Sequence, residues 1–375
     1  MKSILDEIRI LRNEENLNIE RNNTNRYRIV VNETDGTKTA YYFAIPIYND
    51  ETKEIVKPFF QSTQSGYEVI GSNSKTSVDK KIRINSKTDF CQIPLPYTLL
   101  GSSPDELKYQ DVSLYPTTNG IACKVLPNAT GTYSFELECS IPFLNVKANS
   151  KSFSLLREKH KPFITISCIG SMDESGGIVS PAKIEYSKIN DRKYKIFITA
   201  SEQSLSLLFE VNMYELKLIQ DTTVESANPN DNNAFGSVAF IGNTSQLGEQ
   251  WLYSRFDLSN ITGWLDKRVI NATWYIPQYS KTNNRISAFQ LVSHFCSFGS
   301  NWDNKVGFAH KIGEVEGIGK YSIVNVTKMF LDFQKQTNVR QHGVVLKASK
   351  NDNSSSAFST ADSYYCPQLI AIHYK

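Results

Sequence analysis

The sequence predicts an all-β protein built as layered sandwiches, and three observations predict it. Past residue 25, apolar and polar residues alternate with period two, the pattern of a sheet with one face in a core and one nearer water. Turn-forming residues separate these runs at short intervals, as at Asp35-Gly36, Pro127-Asn128, Ser175-Gly176-Gly177 and Asn190-Asp191. The chain also carries 20 Phe and 19 Tyr, residues that favour strands over helices.

The elements follow in chain order. Residues 1–24 form an arm. Within it Ile4, Ile8 and Leu11 fall at helical spacing with Leu5 beside them, which predicts a short amphipathic helix. That helix either docks on its own domain or serves as a handle for self-association. Residues 25–217 form an N-terminal β domain of one or two subdomains. Its strands include "RYRIVV", "AYYFAIPIY", "TYSFELECSIPF", "PFITISCI" and "KYKIFITA". In "SLLFEVNMYELKL", Leu207, Phe209, Val211 and Met213 point to the core, and Ser206, Leu208, Glu210 and Asn212 point the other way. The domain boundary falls near 215–220, and a second β domain occupies 218–375. One segment of it is helical: in "NVTKMFLDFQKQ", Val326, Met329, Phe330 and Phe333 share a helix face, and Asn325 or Thr327 can cap its start.

Composition narrows the function classes. Forty-one basic and 38 acidic residues leave a net charge of +3, which argues against a dedicated nucleic-acid binder with a clustered basic face. No stretch approaches the ~20 apolar residues of a membrane span. Asp6 and Glu7 interrupt the N-terminal apolar residues, so this stretch does not read as a signal peptide. The six cysteines form no CxxC pair. Cys123, Cys139 and Cys168 lie on the core faces of strands and read as buried, reduced thiols, with disulfides the alternative if the protein matures outside the cell, since the count is even. The five histidines are scattered, without an HExxH or His-x-His pattern. No nucleophile elbow or phosphate loop occurs, and nothing marks out a glycosidase pair among the acids. The reading is therefore not an enzyme.

The stretch "DTTVESANPNDNNAFGS" at 221–237 is the most distinctive loop signal. Asn and Asp close Asx turns and tolerate left-handed backbone angles, so loop chemistry alone explains it. A sharper alternative is a calcium site, with Asp221, Asn230 and Asp231 supplying oxygen ligands to Ca2+. A third is a ligand-contacting lip beside an aromatic platform at Trp302 or Tyr275, with Asn304 among the polar contacts. Arg255 and Asp257 flank Phe256 on one strand, and pair with each other if Phe256 faces the core.

From Asp221 onward the residue order resembles the DNRLRE-domain family, which overlaps carbohydrate-binding modules on jelly-roll sandwiches. The matching residues begin with Asp221, Thr222, Val224, Asn228, Pro229, Asn232 or Asn233, Phe235 and Gly236. Next come Gly242-Asn243, the strand Arg255-Phe256-Asp257-Leu258, and Ala272, Trp274 and Ile276. Trp302-Asp303-Asn304 matches a Trp-Asn-Asn-x-Pro turn without its proline. A strand-then-helix at 321–333, a strand at 343–347, a Ser-rich turn and a terminal strand at 369–374 complete the order. Residues 1–217 are similar to the accessory β region that precedes such domains in wall-associated and Rhs-like bacterial proteins. The resemblance implies a C-terminal jelly-roll β-sandwich with one short helix, behind a sandwich-like N-terminal region.

Two functions are expected from this. One is a non-catalytic surface protein binding a carbohydrate or cell-surface polysaccharide through its jelly-roll domain. The other is a self-assembling subunit of a phage, tailocin, spore-surface or filament particle, joined through its edge strands. The missing export signal favours assembly inside the cell and non-classical release.

Overall fold

The computed structural model describes residues 4–20, 25–49, 52–86, 88–95, 98–143, 145–158, 161–200, 206–258, 260–261, 263–280, 285–335, 342–349 and 354–375. The protein is all-β, made of antiparallel sheets with a helix at Ile4–Arg12 and another at Thr327–Gln334. Among the described residues, no helix is long and apolar enough to cross a membrane. The chain divides into two compact units. One comprises Met1–Glu7, Tyr48–Glu215 and Phe235–Val238, and the other Ile8–Ile47, Leu216–Ala234 and Ala239–Lys375.

In the first unit an eight-stranded sheet runs from the edge strand Ala182–Asn190, through Lys193–Ala200 and Thr132–Cys139, to Phe59–Thr63. A nine-stranded sheet has Lys161–Met172, Ser206–Met213 and Gly120–Val125 at its centre. Alternation decides which side chains enter the core between them. Phe135, Leu137, Ile196 and Ile198 come from one sheet, and Ile121, Ile166, Phe209 and Val211 from the other. Phe135 and Phe209 stack with ring centroids 5.5 Å apart. Cys91, Cys123, Cys139 and Cys168 are buried in this core. Cys91 and Cys139 are cross-strand partners with Sγ atoms 3.0 Å apart, and burial pushes the Cys123 and Cys168 thiols up.

The strand Ser206–Met213 departs from expectation on its second face. Leu207, Phe209 and Val211 do enter the core, but Leu208, Glu210 and Asn212 are buried too. The polar side chains there satisfy one another: Thr117 Oγ1 donates to Asn212 Oδ1 at 2.6 Å, and Asn212 Nδ2 donates to Glu210 Oε2 at 2.7 Å.

The second unit stacks a six-stranded sheet on a seven-stranded one. Trp274, Ile370, Ile372 and Tyr42 face Leu252, Ala288, Leu346 and Phe256 across one core. The helix Thr327–Gln334 buries Met329 and Phe330, and the Phe330 ring lies 5.0 Å from Trp264. The N-cap residue Val326 has no side-chain hydrogen bond to offer, and Asn325 serves the first turn from one position earlier. Asn325 Oδ1 accepts the Thr327 N–H, while Thr327 Oγ1 accepts the N–H of Ala272.

Residues 25–47 do not stay with the N-terminal β domain to which the sequence assigns them. The hairpin Arg28–Asn32 and Lys38–Phe43, turned at Asp35-Gly36, extends the six-stranded sheet of the second unit. Lys38–Phe43 pairs with Leu369–Tyr374, with Ala40 opposite Ile372 and Tyr42 opposite Ile370. Ala40 and Tyr42 thereby reach the same core as Trp274. Between Glu215 and Leu216 the chain passes from the first unit to the second.

The helix Ile4–Arg12 is docked on its own chain. Ile4 and Ile8 are 2% and 0% exposed, and Leu11 is half-buried, so this face is not the free self-association handle. Arg12 clamps its end. Its Nη1 and Nη2 atoms meet Glu33 Oε1 and Oε2 at 2.8 and 2.6 Å, and Nη1 also reaches Tyr41 Oη at 3.3 Å. The guanidinium holds the Glu33 carboxyl below the usual range. A lowered carboxylate pKa means stability present above the unfolded pKa and lost as pH falls through the folded one. Replacing Arg12→Ala should lower unfolding free energy in urea by about 2 kcal/mol at neutral pH. The deficit should shrink as the pH is taken below about 4; an unchanged urea midpoint would remove the clamp from the account.

Candidate functional site

In the Asn-rich loop, Asn232 and Asn233 spend their side-chain amides on backbone carbonyls. Asn232 Nδ2 donates to the carbonyls of Ser297 and Ser300, each at 2.7 Å, and Asn233 Nδ2 to that of Thr223 at 3.2 Å. Asn228 Nδ2 donates to Glu225 Oε2 at 3.1 Å. The Asn230 carbonyl accepts from Asn301 and the Asp231 N–H closes a turn on Asn228. Asp221 is set apart from them on the strand Ile219–Glu225, its Oδ2 accepting the Ala361 N–H at 2.6 Å. Strand geometry puts Asp221 ~13 Å along the strand from Glu225, where the loop departs. Asp221 therefore stands away from the loop that carries Asn230 and Asp231. Among the described residues, no group of three or more His, Cys, Asp or Glu could hold a metal ion. His294 and His342 come together, with ring centroids 4.4 Å apart.

Trp302 and Tyr275 do not share a site. Along the seven-stranded sheet Leu252, Leu346 and Ala288 align on the inner face, and Tyr253, Val345 and Phe289 on the outer. Trp302 packs against that outer face, 5.2 Å from the Trp251 ring. Lys305 Nζ lies 4.0 Å from its ring centroid, and Lys347 Nζ lies 4.4 Å from that of Trp251. Tyr275 sits on the six-stranded sheet between the core residues Trp274 and Ile276, so it faces outward on the opposite side of the sandwich. Two stacked sheets, ~10 Å apart, separate them. Asn304 is occupied within its own turn: it exchanges hydrogen bonds with Asn301 at 2.8 and 3.0 Å, and its Nδ2 donates to the Gly299 carbonyl. Arg255 and Asp257 flank the buried Phe256, but Arg255 donates to Gln220 and Asp257 accepts from Asn260.

A different site emerges in the first unit, a groove of about 870 Å³. One wall is the hairpin Gly66–Ile70 and Lys75–Val78 with its connection at 71–74. The other carries Asn119 and the end of the strand Ser206–Met213 through Tyr214 and Glu215. The lining is dominated by amides and hydroxyls: Asn49, Asn73, Asn85 and Asn119, with Ser72, Ser74, Thr76, Ser77 and Ser86. Glu68, Lys75 and Glu215 bring charge, and Tyr214 brings a ring set edge-to-face on Phe235 at 5.7 Å.

Most of these groups are fixed by internal bonds. Asn49 Nδ2 donates to the Ser72 carbonyl at 3.1 Å, Ser72 Oγ to that of Thr118 at 3.0 Å, and Asn119 Nδ2 to that of Met213 at 2.6 Å. Asn73 differs. Its backbone N–H is held by the Thr118 carbonyl, yet its side-chain Oδ1 and Nδ2 are buried and meet no hydrogen-bond partner among the described residues. A buried amide left in that state costs about 1–3 kcal/mol per unsatisfied group. The sequence carried a signal in the run "GSNSKTS" at 71–77, which as a pattern is indistinguishable from an ordinary polar turn.

Gly71 makes the connection possible. Its φ is +67°, and a Cβ there would stand 2.5 Å from the Lys57 carbonyl oxygen. Gly36 has φ +82° but open space around it. Gly71→Ala should therefore lower stability by about 2 kcal/mol or more, through strain plus a backbone clash. Gly36→Ala should cost about 1 kcal/mol, for the dihedral alone. Equal thermal shifts in the two variants would contradict the crowding at Gly71.

Set against known proteins, the chain matches no family model and no curated protein.

Proposed function

We propose that the protein is a non-catalytic binding protein whose ligand is a glycan or cell-surface polysaccharide, held in the polar groove of the first unit. The observation that carries this reading is the lining of the groove, where the amides of Asn49, Asn73, Asn85 and Asn119 stand among the hydroxyls of Ser72, Ser74 and Thr76. A primary amide offers two N–H donors beside a carbonyl acceptor, and a pair of adjacent sugar hydroxyls complements that arrangement. Tyr214 supplies a ring on which the apolar face of a sugar can rest. Glu68, Glu215 and Lys75 then select among sugars by charge and hydrogen bonding. The DNRLRE-like residue order from Asp221 onward supports the same ligand class, and makes the outer face around Trp302 and Trp251 the competing location.

The assembly reading has less support. The strand Ala182–Asn190 is an exposed sheet edge, with Tyr186 and Ile189 in water. It also carries Lys183, Glu185 and Lys188, the kind of charged side chains that hinder strand addition.

A glycan array, followed by calorimetry on the strongest hit, tests the proposal. Asn73→Ala should weaken binding about tenfold, the loss of roughly one net hydrogen bond to the ligand, while Trp302→Ala leaves it unchanged. Loss with Trp302→Ala alone moves the site to the second unit. An array without a hit, from protein that forms concentration-dependent oligomers in sedimentation, replaces the proposal with assembly.

A further inference from the structure

A second cluster, independent of the groove, lies in the core of the second unit. Lys217 precedes the strand Ile219–Glu225, and its side chain is 4% exposed. Its Nζ stands 4.0 Å from Asp362 Oδ1 and 3.5 Å from the centroid of the Tyr364 ring. The Asp362 side chain is itself 10% exposed. Asp221, four residues after Lys217 along the chain, hydrogen-bonds Asp362 while its Oδ2 takes the Ala361 N–H at 2.6 Å. Leu218, Ile219, Phe358 and Ala361, the chain neighbours of these groups, belong to the hydrophobic core.

One ammonium and two carboxyl groups in such a place are expensive to desolvate, and an apolar trio of similar size commonly serves stability as well or better. Their juxtaposition instead has the ingredients of a condensation: an amine, a carboxyl whose Oδ1 lies 4.0 Å from it, and a second carboxyl hydrogen-bonded to the first. Reacting atoms become productive at roughly 3–3.5 Å, so the amine must turn past Oδ1 and close on Cγ.

We propose that Lys217 and Asp362 become joined by an intramolecular amide bond, with Asp221 as the proton-transferring acid. A proton from the Lys217 ammonium passes to the carboxylate of Asp362. The freed Nζ lone pair attacks Asp362 Cγ, forming the new C–N bond. Asp221 delivers its proton to the departing oxygen of Asp362 and recovers one from the attacking nitrogen. The C–O bond breaks and the oxygen leaves as water, so the three hydrogens of the ammonium are accounted for, two in water and one on the amide. Nothing is oxidised or reduced, and no co-reactant is required. Burial, and then the neighbouring Asp362 carboxyl, push the Asp221 carboxyl well above the ordinary range, which keeps it protonated and able to act as the acid. The Tyr364 ring covers the amine and shields the reacting atoms from bulk water.

Intact-mass spectrometry of the purified full chain tests this directly. The expected mass is short by one water, and digestion should yield one branched peptide containing residues 217 and 362. Lys217→Arg and Asp362→Ala should each restore the full mass expected for their sequences. Asp221→Asn should do so while retaining the native circular-dichroism spectrum. Wild-type protein of full mass, with residues 217 and 362 recovered in separate linear peptides, overturns the proposal without recourse to any variant. A branched peptide that persists in Asp221→Asn overturns the role given to Asp221.

Discussion

The pairing of Lys38–Phe43 with Leu369–Tyr374 is the contact on which the second unit depends. It places Ala40 and Tyr42 beside Ile370 and Ile372, and so extends the six-stranded sheet by a hairpin. Each backbone group in that ladder exchanges water for a partner, but the larger return comes from the side chains it brings inward. The Arg12–Glu33 clamp stands on the same hairpin, since Glu33 begins its turn and Tyr41 lies on its second strand. Without this pairing, Leu369–Tyr374 would become an edge strand, and the wall that holds Trp274 and Ile372 would lose Ala40 and Tyr42.

Polar residues in the two units are disposed in contrasting ways. Around Thr117, Asn212 and Glu210 they form a closed chain of bonds within the sheet. In the loop at 226–233 they hold neighbouring backbone in place. In the groove, the Asn73 side chain stands outside any such chain, while its surroundings are held rigid by Ser72, Asn49 and Asn119. A groove whose lining is already held by internal bonds favours recognition, because little ordering is left to be done when a ligand arrives.

The strands, their turns and the helix around Met329 and Phe330 were legible because each is a local pattern of period two or 3.6. The hairpin at 28–43 was legible as a hairpin but not as part of the second unit, because its partner strand lies at the far end of the sequence and alternation does not encode pairing. The second face of Ser206–Met213 misled for a related reason: Glu210 and Asn212 look like water-facing residues until Thr117 is placed beside them. At the candidate sites, residue type alone suggests Asp221, Asn230 and Asp231 as ligands and Trp302 or Tyr275 as a platform. Register and sheet assignment set Asp221 apart from the loop and place Trp302 and Tyr275 on different sheets, and neither can be read from composition. Asn73 went unnoticed because a lone amide in a Ser-rich turn is commonplace, and only three-dimensional packing reveals that its side chain lacks a partner.

The same long-range ladder has a temporal side. During synthesis the hairpin at 28–43 leaves the ribosome far ahead of the strand at 369–374, with the bulk of the first unit, Tyr48–Glu215, made in between. Tyr42 and Ala40 therefore wait with an unpaired, apolar edge while the strands from Phe59 to Met213 close around their own core. Contacts so distant along the chain form slowly, and the waiting edge is the segment most open to wrong partners. The nascent protein thus matures from its middle outward, its first-made strands being among the last to find their place.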